Sequence, residues 1–285
     1  MTLFGAVEIG GTKTDVAIGT SPEDLTEPHR IPTGIPEETL GAVVDYLTGQ
    51  PVDAIGVASF GPLDLDPSST GYGRMLSTPK PGWSEVDVLG ILSDGLRPPV
   101  TIDTDVNGAA LGEGRWGAAT GMTDFVYVTV GTGIGAGIVV GGRVVGGAAH
   151  PETGHVVVRP EPGDAFPGAC PYHGDCLEGM TAGPALEARF GRSETWAGND
   201  AVLDLATGYV AQGVRNLVYT VAPERIVIGG GVSKLPGFHD RLRVRTGALL
   251  GDYPHEPDLD LLISKPGLGD LSGLAGALVL AGSAV

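Results

Sequence analysis

The chain has 285 residues, 42% of them apolar, which suffices for one large core or two smaller ones, and two lobes are expected. Its 34 acidic residues against 17 basic ones give a net charge of −17, which argues against nucleic acid as a partner, since nucleic-acid binders carry basic patches. No leader-like segment precedes the first strand pattern and no uninterrupted apolar run reaches about 18 residues, so no membrane span is expected and a cytoplasmic location is the default.

The 48 glycines and 22 prolines would suggest disorder in a chain without apolar patterning. Here Val/Ile-rich runs recur, and glycine marks tight turns and close approaches to a ligand. Residues 3–9 form a short apolar run ended by Gly10-Gly11-Thr12-Lys13, after which Val16-Ala17-Ile18 resumes the strand pattern. This reads as a hairpin with a glycine tip. Backbone N–H groups at such a tip can cradle phosphate oxygens, and the missing Cβ atoms admit a ligand; a plain hairpin is the equal alternative. A Walker A loop is excluded, because Thr12 separates Lys13 from the last glycine and a strand follows instead of a helix.

Residues 36–47 place Leu40, Val43, Val44 and Leu47 at helical spacing. Residues 54–58 read as a buried strand, followed by a Pro/Gly-rich loop to Ser84 that is long enough to be a candidate for substrate contact. Residues 99–102 read as a strand running into the helix that begins near Asp103-Thr104-Asp105-Val106-Asn107. A carboxylate at the carboxyl end of a strand in an open α/β sheet is well placed to meet a ligand. Helix capping by Asp103 or Asn107 is the structural alternative.

The hairpin design returns at residues 126–140, with Gly131-Thr132-Gly133 at the tip, and the two units look like an internal duplication. Strand residues follow where a dinucleotide fingerprint would need a helix, so that reading is rejected. Gly141-Gly142 then forms a two-residue turn. Farther on, Cys170-x-x-His173-x-x-Cys176 lies fifteen residues beyond His155. Two thiolates and two imidazoles suit tetrahedral Zn²⁺. A Cys170–Cys176 disulfide, or two idle thiols, is the alternative; the close spacing in an intracellular enzyme favours metal. Residues 200–221 carry a long amphipathic pattern with Asn199 as N-cap, and residues 225–228 read as a buried strand entering Gly229-Gly230-Gly231. Residues 236–250 read as a helix, 259–264 as a strand, and 271–284 as a small-residue helix.

Glu152-x-Gly154-His155 followed by a Cys/His knuckle ending Cys176-Leu177-Glu178 resembles the signature of the ROK family (repressors, open reading frames, kinases). His150-Pro151-Glu152 and the block from Cys170 to Gly179 resemble its fructokinase branch most. Glu8-Ile9-Gly10-Gly11-Thr12, Asp105, Gly131-Thr132-Gly133, the knuckle and Gly229-Gly230-Gly231 stand in the family's order over essentially the whole chain. The resemblance implies an α/β, two-lobed actin-like ATPase (ribonuclease H-like) fold with a nucleotide cleft between lobes: residues 1–117 plus 271–285 in one, 118–270 in the other. It implies ATP-dependent phosphorylation of a hexose, most of all D-fructose, with Asp105 as general base. The two hairpins, through Gly10, Gly11, Thr12, Lys13, Gly131, Thr132 and Gly133, would hold phosphates; Glu8 would serve Mg²⁺; Gly229, Gly230 and Gly231 would form the adenosine turn. Asn107, Glu152 and Glu178 would contact the sugar. His155, Cys170, His173 and Cys176 would hold a structural zinc, with His150 the spare ligand. Ser77-Thr78-Pro79-Lys80-Pro81-Gly82-Trp83 resembles a segment beside the sugar pocket. A homodimer is expected by the same analogy. Glucokinase, mannokinase and N-acetylhexosamine kinase are the alternatives. A sugar sensor or repressor is less expected, because the first hairpin starts within ten residues and leaves no room for a preceding DNA-binding module.

Overall fold

The computed structural model describes residues 2–147, 149–251 and 257–285. They form two compact units. The first runs to Gly121 and includes Val144–Pro151 and Gly267–Val285; the second comprises Met122–Arg143 and Glu152–Pro266. No helix among the described residues is long and apolar enough to cross a membrane.

In the first unit β1 (Phe4–Ile9) and β2 (Lys13–Gly19) form the expected hairpin, with Ile9 opposite Thr14 at the tip. A short edge strand, β3 (His29–Pro32), pairs antiparallel with β2. Its single buried residue, Ile31, explains why no sequence pattern announced it. There follow α1 (Pro36–Leu47), β4 (Ala54–Ser59), α2 (Val88–Gly95), β5 (Val100–Thr104) and α3 (Asp105–Trp116). The sheet order is β3-β2-β1-β4-β5, with β4 parallel to β1 and β5 parallel to β4.

Strand alternation gives this sheet two different faces. Val7, Ile9, Val16 and Ile18 belong to a core with Leu40, Val43, Leu47 and Leu92 of the helices. Ala6, Ala17 and Ala58 meet Leu274, Ala277 and Leu278 of the C-terminal helix (Ser272–Gly282). Small residues there let backbones touch: a Cβ on Gly276 would stand 1.7 Å from the Gly108 carbonyl oxygen. The loop between β4 and α2 is not a loose surface connection. Leu63, Met75 and Trp83 are buried in the same core as α1, and the Trp83 indole N–H donates to Gly34 O at 2.9 Å.

The second unit repeats the plan. β6 (Phe125–Val130) and β7 (Ile134–Val140) form the second hairpin, and β8 (Arg143–Val144) follows across the Gly141-Gly142 turn. Then come α4 (Leu177–Thr181), α5 (Gly183–Phe190), α6 (Asp200–Val221), β9 (Arg225–Gly229), α7 (Phe238–Leu250), α8 (Leu259–Leu262) and β10 (Ile263–Ser264). The order β10-β9-β6-β7-β8 mirrors the first sheet, since β9 is parallel to β6 as β4 is to β1. Asn199 caps α6 by accepting from the Ala201 and Val202 N–H groups. Leu205 and Val218 are only half-buried, while Leu203 and Tyr209 take core places. The strand expected over residues 259–264 shrinks to its last two, because Asp258 caps a helical turn through the Asp260 and Leu261 N–H groups.

Candidate functional site

In the first unit β1 delivers Glu8 to the base of the glycine tip, and β5 runs directly into Asp105 at the first position of α3. The cap of α3 is neither Asp103 nor Asn107 but Thr104, whose hydroxyl accepts from the Asn107 N–H. A β-region residue just before the helix can turn its Oγ onto that amide. Asp103 instead accepts from the Thr104 N–H and from the Asn107 side-chain amide, both at 2.7 Å. Asn107 is thereby buried. Burial pushes the Asp103 carboxyl up, opposed by the hydrogen bonds from Asn107 and Thr104. The Asp105 Oδ1 accepts from the Val106 N–H at 2.9 Å, which fixes the carboxylate's orientation.

Glu8 Oε2 is buried without a hydrogen-bond partner. Burial is the main force pushing its carboxyl up to about 7; Lys13 opposes the rise, while Asp105, Asp15 and Asp270 add to it. Three further carboxylates thus act electrostatically on one half-buried acid, an arrangement a divalent cation would relieve. The Lys13 ammonium, proposed for phosphate, is held by Asp15 at 2.6 Å, and Arg30 holds the same carboxylate at 2.7 and 3.0 Å. Burial works to raise Asp15, but these cations outweigh it and keep the carboxyl low.

The second unit brings its own candidates together. A Cβ on Gly131 would lie 3.7 Å from the Gly231 nitrogen, and the Gly183 N–H donates to Gly131 O at 2.7 Å, so hairpin tip and triple-glycine turn are neighbours. Gly230 has φ +87°, and a Cβ there would fall 2.5 Å from the Val130 backbone, so no other residue fits. The Thr132 side chain is exposed. Glu178 reaches the same tip: its Oε2 accepts from the Ile134 N–H at 2.9 Å. Glu152 is exposed at the start of the short helical turn Thr153–His155.

His155, Cys170, His173 and Cys176 converge, with their ligand atoms all within 4.8 Å of one another. The knuckle is tight because the Cys170 and Gly174 backbones exchange hydrogen bonds. Sulfur-to-nitrogen separations are 3.5, 3.7 and 3.8 Å, and tetrahedral zinc with ordinary bond lengths requires about 3.6 Å. Both thiols are free, so they do not form the alternative disulfide. Burial first, then the nearby Cys170 and Glu178, push the Cys176 thiol up to about 11 against the Gly179 N–H; a cation is what would make a thiolate favourable there. The donor set fits zinc. His150, the spare candidate, belongs to the first unit, where its Nε2 accepts from the Leu63 N–H at 3.2 Å.

The loop between His155 and Cys170 is fastened by side chains that the sequence reading missed. Asp164 accepts from the Tyr209 hydroxyl at 2.5 Å and from Arg189 at 2.8 Å, and Arg189 lies 4.1 Å over the Phe166 ring. Lys80 and Glu113 were also missed. Lys80 sits inside a segment already singled out, whereas a single buried Glu in a helix carries no sequence signal.

A family model described as the ROK family matches residues 4–284, and the chain belongs to the ROK family. It is 42% identical over 288 residues to a fructokinase from Pediococcus pentosaceus, with 99% of each chain covered. It is 40% identical over 289 residues to a fructokinase from Zymomonas mobilis, covering 98% of this chain and 96% of that one. The crystal structure of a ROK hexokinase from Thermus thermophilus matches with a TM-score of 0.77 at 29% identity, over 99% of this chain and 98% of the other. The architecture is the actin-like ATPase fold of ROK sugar kinases.

Proposed function

We propose that the protein is an ATP-dependent hexose kinase whose substrate is D-fructose and whose product is fructose 6-phosphate. The observation that carries the mechanism is Asp105, which leaves the end of β5 with its carboxylate oriented by the Val106 N–H and in electrostatic reach of Glu8. The sugar assignment is supported by full-length likeness to fructokinases at 42% and 40% identity.

Phosphoryl transfer asks the protein for alignment and charge stabilisation more than for covalent chemistry. Asp105 would accept the proton of the primary sugar hydroxyl as that oxygen attacks the γ-phosphorus and ADP departs. Backbone N–H groups at Gly10, Gly11 and Thr12, and at Gly131, Thr132 and Gly133, would hold phosphate oxygens. Gly229, Gly230 and Gly231 would let the nucleoside approach closely. Glu152 and Glu178 would accept from sugar hydroxyls; Asn107 would act through Asp103, to which its amide is bound. Glu8 would serve the Mg²⁺ that accompanies ATP, and the metal's contribution is to neutralise charge on the phosphates. Zinc on His155, Cys170, His173 and Cys176 would be structural, because four protein ligands leave no open position. A homodimer, carried over from the family resemblance, and a cytoplasmic location, the default for a chain without an expected membrane span, belong to the same reading; light scattering in solution reads the first.

The test is ATP turnover by purified enzyme with Mg²⁺ across fructose, glucose, mannose and N-acetylated hexosamines, compared as kcat/KM. Preference for fructose supports the assignment. Preference for another hexose overturns the substrate and keeps the reaction class, and no turnover with any sugar overturns both.

A further inference from the structure

The Lys80 ammonium donates to Gly11 O at 2.7 Å and to Thr33 O at 2.8 Å. Among the described residues no carboxylate accepts from it. A lysine ammonium is strongly hydrated and flexible, and placing it on two neutral carbonyls costs desolvation and side-chain entropy. The surroundings reduce that cost by fixing the backbone beneath it. Trp83 is fully buried, is bonded to Gly34 O and lies edge-on to Phe60 at 5.0 Å, while the Trp83 N–H donates to the Lys80 carbonyl at 3.2 Å.

The other end of the contact is the first hairpin tip, where three successive carbonyls have donors. Gly11 O takes Lys80; Thr12 O takes the Thr33 N–H at 3.1 Å; Lys13 O takes the Gly10 N–H at 2.8 Å. In a trans peptide the C=O of one residue and the N–H of the next point in opposite directions. Holding Gly11 O toward Lys80 therefore turns the Thr12 N–H away from it.

We propose that Lys80 is a positioning residue for phosphoryl transfer, fixing the Gly11–Thr12 peptide plane so that its N–H faces the phosphates of the nucleotide donor. The proposal rests on the reading of this tip as a phosphate site. It also makes the segment of residues 77–83 a physical link from the long loop to the hairpin.

The experiment combines steady-state kinetics in ATP and in fructose with thermal unfolding for Lys80→Met and Gly11→Ala. A Cβ on Gly11 meets nothing within 4 Å, so Gly11→Ala is expected to fold and to place a methyl where a phosphate would approach. Both variants are expected to lose kcat/KM for ATP by roughly 10- to 100-fold, with the KM for fructose changed less than about twofold. A residue that merely pins the loop would lower Tm and the amount of active enzyme but leave the KM for ATP unchanged. If Gly11→Ala is impaired while folded Lys80→Met matches the parent, the role of Lys80 is refuted and the phosphate tip stands. If Gly11→Ala has parental ATP kinetics, the phosphate reading of the tip falls and the proposal with it. If Lys80→Met does not fold, Lys80→Gln carries the test, because its side chain is one atom shorter and uncharged and loses the ammonium's contact with both carbonyls; a parental kcat/KM for ATP in that variant overturns the proposal.

Discussion

The hairpin between β1 and β2 is held from its carbonyl side, by the Lys80 cation on Gly11 O. The hairpin between β6 and β7 is held from its amide side, by the Glu178 carboxylate on the Ile134 N–H, while Gly183 occupies the Gly131 carbonyl. The two sheets have the same strand order, and the strands around the two hairpins run in the same directions, so topology does not distinguish the tips; side chains from outside each hairpin do. Two residues before the tip turn, β1 carries Glu8 and β6 carries Thr129. β5 runs straight into the acid-bearing α3, whereas β10 ends at Ser264 with no helix directly after it. One scaffold used twice has become an acidic unit suited to proton and cation chemistry and a second unit carrying a glycine turn and a Cys/His knuckle.

The comparison breaks most sharply at Asp105. Asp105→Asn is expected to fold and to lose about 10²- to 10⁴-fold in kcat, measured by steady-state kinetics; an unchanged kcat would remove it from the mechanism. Glu113 comes next. Its fully buried carboxylate accepts from the Ala118, Gly267 and Leu268 N–H groups and from the Ser272 hydroxyl, and so joins α3 to the start of the C-terminal helix. Glu113→Ala would leave those donors buried and unpaired, at a cost of about 3–5 kcal/mol in urea unfolding. A loss under 1 kcal/mol would show the clamp to be dispensable.

Glu8 yields a pH test. Its folded pKa of about 7 exceeds the ordinary 4.5, so between those values the native state binds more protons than the unfolded chain, and stability falls as pH rises through the window. Glu8→Gln carries no charge to bury. It is expected to match the parent below pH 4.5 and to exceed it by about 3 kcal/mol above pH 7. A stability difference that does not change with pH would contradict the burial of this charge. The smallest effect belongs to the second unit. Because Asp164, Tyr209 and Arg189 fasten the metal loop independently, stripping zinc is expected to cost only about 1–2 kcal/mol, a fall in Tm of roughly 2–8 °C. Zinc-free protein by elemental analysis with an unchanged Tm would refute a structural metal.

What the sequence made legible follows from physics that acts locally. Both hairpins were readable because apolar runs and glycine turns sit within a few residues of one another. The three-residue spacing of Cys170, His173 and Cys176 made their convergence legible in the same way. β3 was invisible because an edge strand needs only one buried side chain. Thr104 as the cap of α3 was missed because three neighbouring polar residues could each have served, and only backbone dihedrals decide among them. Lys80, Glu113 and Asp164 act on partners 25 to 159 residues away, and no spacing rule reports such contacts.

The most direct measurement is ³¹P and ¹³C NMR of the product formed from ATP and fructose by the purified enzyme. Fructose offers two primary hydroxyls. Phosphate on C6 alone, formed at a rate that Asp105→Asn reduces by at least about 100-fold, is the predicted result. Phosphate on C1, or ATP consumed without a sugar phosphate, would contradict it.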